Sequence, residues 1–241
     1  MSSLYFDCFS GISGDMTLAA LVDLGADKTY IQSGLSRLSP TQKLNFSWKK
    51  VNKLGVSALK FNLLPPFPEF RNYSYKKIRE LIEKSNLDNK IEAKSIALFH
   101  TIAVAEAKIH NKSLDQVHFH EIGAIDSIID VVGVCLAMES LGVQKVFSSR
   151  VSLGNGFVKC QHGNYPVPAM ATLEILKSVP VRSGKPQKEL TTPTGAAILV
   201  NFADEFVEGM PDMSVEKIGY GAGTRDLKEQ PNVLRVLMGK Q

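Results

Sequence analysis

From Ile125 to Met138 the chain is apolar on every side of a helix except at Asp126, Ser127 and Asp130. Such a helix has no face to show to water, so the fold must supply layers that cover it. Asp126 and Asp130 are four apart and stack on one side of it. Exposed like-charged pairs at this spacing repel by roughly 0.2–0.5 kcal/mol, and burying them without partners costs several times more. A bound cation or a basic side chain removes that cost. The alternative is that Asp126 only complements the helix dipole in the first turn, an account that suits Asp126 better than Asp130. Gly133 and Ala137 continue the same face, and their small side chains predict a close approach by another backbone.

Just ahead of this helix stand His118, His120 and Glu121. A period of two puts both imidazoles on one face of an extended, central strand. Imidazoles and carboxylates at this density suit a divalent metal or proton transfer.

A second constellation opens the chain. Leu4 to Asp7 reads as a short buried strand, Ser10-Gly11-Ile12-Ser13-Gly14-Asp15 as a turn, and Met16 to Leu24 as a helix closed by Gly25. Backbone N–H groups at such a strand–loop–helix junction gather an anion, and Asp7 with Asp15 could hold a cation beside it. Equally, Gly11 and Gly14 make the turn and Asp15 caps the helix. The loop lacks the Gly-Lys-Ser/Thr ending of a Walker motif. Thr191 to Ala197 forms another loop-to-helix junction, where Thr192, Thr194 and Gly195 either meet a phosphate or carboxylate or serve the helix cap. Gly219-Tyr220-Gly221-Ala222-Gly223 fits a tight turn or close backbone contact better than a nucleotide fingerprint. His162 lies in a turn-rich segment, as a third imidazole or a solvated one, and His100 and His110 sit on different sides of a long helix.

The 241 residues, 44% hydrophobic and 22% charged, support a sizeable core. We read residues 1–241 as one domain, with Pro65-Pro66-Phe67-Pro68 marking a subdomain edge near 65–75. Leu44–Val51 and Val56–Leu64 predict a hairpin around Lys53-Leu54-Gly55, with Lys43, Lys49, Lys50, Lys53 and Lys60 on its solvated side. Further helices are expected at Lys28–Leu38, Tyr75–Lys84, Lys90–Asn111, Ala169–Leu176 and Ala196–Asn201. Strands are expected at Val146–Leu153, Phe157–Gln161, Val179–Arg182, Val215–Gly219 and Val233–Met238. Without steady alternation these favour an α+β fold, or an irregular α/β one, with a mixed central sheet and flanking helices. The net charge of +4 is dispersed and carries no nucleic-acid signature. Three widely spaced cysteines argue against a disulfide framework or zinc ribbon; Cys135 reads as core, and Cys8, beside Asp7, stays open. The absence of a basic leader and of a long uncharged apolar run predicts a cytoplasmic chain that meets no membrane.

Tyr5 to Met16, His118 to Asp130, Gly163 to Ala169, Glu189 to Ala197 and Pro231-Asn232-Val233-Leu234-Arg235 together resemble the LarC family. The blocks run end to end and are jointly specific. The resemblance implies nickel insertion into a pyridinium bis-thiocarboxylic acid mononucleotide, a CTP-dependent cyclometallation of the lyase class that makes the nickel-pincer cofactor of lactate racemase. It implies Ni2+ and CTP, the latter with Mg2+ or Mn2+. Members continue past the Pro231–Arg235 block into a second domain, so a C-terminal domain or partner chain is expected to share the work, and homo-oligomers stay open.

That chemistry needs metal donors, a base for the ring proton and anion sites. His118 and His120 are the candidate nickel donors, with His120 and Glu121 the catalytic pair and Glu121 the base. Asp7, Asp15, Asp126 and Asp130 would hold or orient metal. Ser10, Gly11, Ser13, Gly14, Thr192, Thr194 and Gly195 would meet phosphate. A non-catalytic nickel metallochaperone and a metal-dependent phosphohydrolase are the competing functions.

Overall fold

The computed structural model describes residues 1–39, 43–66, 73–117, 119, 125–160 and 163–241, with Lys159 and Cys160 described by backbone only. In chain order the elements are β1 (Ser2–Asp7), α1 (Gly14–Leu24), α2 (Lys28–Ser36), β2 (Asn45–Lys53), β3 (Val56–Leu64), α3 (Tyr75–Glu83), α4 (Asn89–His110), α5 (Ile125–Leu141), β4 (Lys145–Ser149), β5 (Val151–Ser152), β6 (Phe157–Cys160), β7 (Gly163–Pro166), α6 (Met170–Ile175), β8 (Val181–Arg182), α7 (Pro193–Phe202), β9 (Glu205–Val207), β10 (Ser214–Ala222) and β11 (Val233–Lys240). Seven strands form one sheet in the order β2-β3-β10-β11-β1-β4-β9. β1/β4, β4/β9 and β10/β3 are parallel, and β2/β3, β10/β11 and β1/β11 antiparallel. This is the mixed sheet with flanking helices of an α+β fold.

The sheet's two faces differ. Leu4 and Phe6 of β1 and Leu234 and Val236 of β11 join the large apolar cluster with residues of α1, α4, α5 and α7. The alternating positions Tyr5 and Leu237 pack with Phe147 in a small separate cluster on the other face. α5 is covered as its composition requires, from Ile128 through Met138 almost without interruption. The space beside Gly133 is taken by the Leu18 side chain, whose Cδ2 stands 2.7 Å from where a Cβ would be. A leucine knob, not the expected backbone, fills that notch.

The close backbone approach occurs instead at β10. A Cβ on Gly221 would lie 1.8 Å from Met16 O, and one on Gly219 2.3 Å from Ala20 O. Glycine at both positions lets α1 lie directly on the strand and aims its N-terminus past the sheet's end. The β2–β3 hairpin turns through Leu54 (φ 51) and Gly55 (φ 88), the pair of positive φ values that a tight two-residue turn requires. Its lysines are not all solvated, as alternation suggested. Lys53 is buried beneath Arg225 and Asp226, and Lys60 is largely buried against Asp15 and Thr224. Most of the expected subdomain edge, residues 67–72, lies outside the described residues, as does most of the histidine segment. Among the described residues no helix is long and apolar enough to cross a membrane.

Candidate functional site

Gly11 (φ +80) turns the chain after β1 so that Ile12 meets the segment before α7. Ile12 N–H donates to Leu190 O at 3.0 Å, and Thr192 N–H donates to Ile12 O at 3.1 Å. This bridge sets the two loops singled out in the sequence side by side. A Cβ on Gly195 would stand 2.2 Å from Ile12 O, so glycine is what allows their contact. The N-termini of α1 and α7 therefore adjoin, with their unpaired N–H groups and positive dipole ends at one place. Thr192 is the α7 cap, its Oγ1 accepting from Gly195 N–H at 3.2 Å and lying 2.8 Å from Thr194 Oγ1. Ser13 stands at the α1 cap position, but its hydroxyl donates to the Asp15 carboxylate instead of accepting from the helix. Ser10 is buried, and its Oγ accepts from Gln230 Nε2 at 2.8 Å.

Asp130 reaches this junction from α5. A Cβ on Gly14 would fall 2.7 Å from Asp130 Cβ and 2.9 Å from its Oδ2, so the Asp130 carboxyl lies against the start of α1. Asp130 retains a sliver of exposed surface but is densely surrounded. Burial first, then the charges of Asp15 and Asp126, push its pKa well above the ordinary carboxylate value, against the opposing pull of Lys60. Lys60 Nζ lies 3.6 Å from Asp15 Oδ2 and donates to Thr224 Oγ1 at 2.9 Å. Asp126, one turn before Asp130, is exposed and accepts from Ser127 N–H at 2.8 Å.

Asp7 does not join this group. It shares the outer sheet face with Tyr5, and its carboxylate accepts from Arg235 Nε at 2.9 Å. Strand alternation separates it from Asp15, with which the sequence had paired it as a metal holder. Cys8 faces the core, where burial pushes its thiol up to about 12; the same cause and the same value apply to Cys135. His118, His120, Glu121 and His162 lie outside the described residues. Among the described residues no three His, Cys, Asp or Glu side chains are grouped to hold a metal ion.

A cavity of about 190 Å³ opens between Ser13–Met16, Glu189–Thr192, Gly223–Arg225 and Asn232. Thr224 and Arg225 were not singled out from the sequence; Lys60 was read only as a solvated hairpin lysine and Asn232 only as part of the Pro231–Arg235 block. The clue to Thr224 and Arg225 was their place directly after a glycine-rich stretch.

Two joined loops, the Asp130 carboxyl lodged at their junction and a lysine-bridged aspartate stand beside a small cavity in an α+β protein. The chain belongs to the nickel insertion protein family, which it matches from residue 4 to residue 241. It is 47% identical to the pyridinium-3,5-bisthiocarboxylic acid mononucleotide nickel insertion protein of Clostridium kluyveri, covering 100% of this chain and 63% of that one. Its identity to the protein of that name from Geobacillus kaustophilus is 45%, over 100% of this chain and 60% of the relative. For the one from Thermotoga sp. strain RQ2 it is 46%, over 99% and 61%. The chain thus spans about 60% of the length of these relatives. No solved structure matches it significantly.

Proposed function

We propose that this chain presents nickel, as cargo, to a pyridinium-3,5-bisthiocarboxylic acid mononucleotide and takes part in its insertion, sharing the reaction with the further sequence its relatives possess. The observation that carries this reading is the lodging of Asp130 against Gly14 at the start of α1, beside Asp15, where two loops and a cavity meet. The substrate's name supplies two sulfur-bearing arms and a phosphate. Insertion replaces a ring C–H by C–Ni and releases one proton.

A donor site for such a transfer works best when incomplete. Hard carboxylate oxygens hold Ni2+ less tightly than thiocarboxylate sulfur does, so Asp15 and Asp130, with Asp126 at the edge, would yield the ion to the softer arms. Lys60 tempers the repulsion between the acids while no cation is present. His118 and His120 add imidazole donors in this proposal, and Glu121 takes the ring proton. Asp7, held by Arg235, has no part in it. The reaction is CTP-dependent, with Mg2+ or Mn2+ on the triphosphate, is a lyase-class cyclometallation in the cytoplasm, and serves the nickel-pincer cofactor of lactate racemase.

The test is to incubate the chain, together with the further sequence of a relative supplied as a second polypeptide, with Ni2+, CTP, Mg2+ and the mononucleotide and to weigh the product by mass spectrometry. A product heavier by one nickel and lighter by the displaced protons is expected, and its loss in the Asp15→Asn, Asp130→Asn double variant. Nickel bound to the chain with neither product nor CTP consumption would replace insertion by metallochaperone activity. Phosphate release from simple esters with Mn2+, without nickel product, would replace it by phosphohydrolysis.

A further inference from the structure

We infer that Arg225, on the loop after β10, anchors the phosphate monoester of the mononucleotide in the cavity between α1 and α7, with Thr224 as a second donor. This rests on the reading above that the substrate is a mononucleotide. The loop holds the Arg225 main chain in place and leaves its guanidinium exposed at the cavity. The Arg225 carbonyl accepts from Asn232 Nδ2 at 2.9 Å and from Lys53 Nζ at 3.2 Å, and both of those side chains are buried. A buried lysine is costly unless paired, and this one spends its donors on the Arg225 carbonyl and on Asp226. Gly223 is fixed against Asn232, whose Nδ2 would lie 2.5 Å from an added Cβ.

Of its five N–H donors, Arg225 engages one among the described residues, Nη1 to Glu189 O at 2.7 Å. The others remain for a planar or tetrahedral oxyanion, the geometry a guanidinium fork recognises best. The dipole ends of α1 and α7 point to the same space. Two acids belong to the cavity wall. Asp15 has its oxygens engaged by Ser13 and Lys60, which directs an anion to the Arg225–Thr224 side; Glu189 meets Arg225 through its main chain. The cavity, at about 190 Å³, has room for a phosphate group.

Isothermal titration of the chain with nicotinic acid mononucleotide, its unphosphorylated nucleoside and CTP tests this. The mononucleotide should bind at least about tenfold more tightly than the nucleoside, as charge-assisted hydrogen bonds imply. Arg225→Gln should abolish the difference, Arg225→Lys should keep part of it, and Thr224→Val should reduce it, all with unchanged circular dichroism. Equal binding of nucleoside and mononucleotide by the unaltered chain, or an undiminished difference in folded Arg225→Gln, would overturn the inference. So would an Arg225-dependent affinity shown by CTP alone. Nickel titration of the unaltered chain is read separately: its failure alone sinks the metal reading, and loss of the phosphate preference alone sinks this one.

Discussion

Replacing Gly14 by alanine inserts one methyl group where the structure leaves no room. The new Cβ would lie 2.7 Å from Asp130 Cβ, 2.9 Å from Oδ2 and 3.2 Å from Cγ. The backbone of Gly14 is ordinary helix, so conformational strain contributes nothing and the contact alone decides. Overpacking of this kind costs roughly 1–3 kcal/mol. Alanine returns at most about 1 kcal/mol through helix propensity, and less at a first helical position. A net loss of about 1–2 kcal/mol lowers the Tm of a chain this size by roughly 2–8 °C. Thermal denaturation by circular dichroism measures this, with Gly209→Ala as control, since among the described residues nothing stands within 4 Å of that added methyl. Nickel titration on the same samples should show weaker binding for Gly14→Ala, because the Asp130 carboxyl must move. A Tm equal to or above that of the unaltered chain, with nickel affinity unchanged, would refute the placement of Asp130 against the start of α1.

Further outcomes follow from the same geometry. Asp130 holds its proton more tightly folded than unfolded, so between its ordinary pKa of 3.8 and its raised folded value stability falls as pH rises. Asp130→Asn should therefore melt above the unaltered chain near neutral pH, with the gap closing as pH drops through about 4; a gap independent of pH would contradict the burial argument. Asp7→Asn should cost at most about 1–2 kcal/mol through its lost partner Arg235 while leaving nickel affinity intact, and a lost affinity would return Asp7 to the site. A Cys8 thiol pushed up to about 12 is roughly one ten-thousandth thiolate at pH 8, so peptide mapping after iodoacetamide should find it unlabelled until the chain unfolds.

Much of this was legible because local pattern and burial agreed. α5 could only be interior, and the two loop-to-helix junctions announced themselves by glycine, serine and threonine ahead of apolar helices. Their contact was not legible, since a bridge between Ile12 and Thr191 is a property of the folded sheet. Asp7 was grouped with Asp15 because a four-residue strand beginning Leu4-Tyr5-Phe6 is apolar on both faces and hides which way its last residue points. Lys53 and Lys60 follow the hairpin's alternation, yet pairing with Asp226 in one case, and with Asp15 and Thr224 in the other, draws them inward. Lys60 and Thr224 are 164 residues apart, and no local period links them. The short strands β7 and β9 exist by virtue of their partners and leave almost no signal of their own.

The central claim is that α1's N-terminus, Asp15 and Asp130 form the place where the cargo ion is held. An anomalous-difference map from crystals soaked in nickel at the metal's absorption edge tests it most directly. The account predicts a peak within coordination distance of the Asp15 and Asp130 carboxylates, absent from Asp130→Asn crystals. A peak elsewhere, on the Asp7–Arg235 face or at His100 and His110, with density between Asp15 and Asp130 empty, would contradict it.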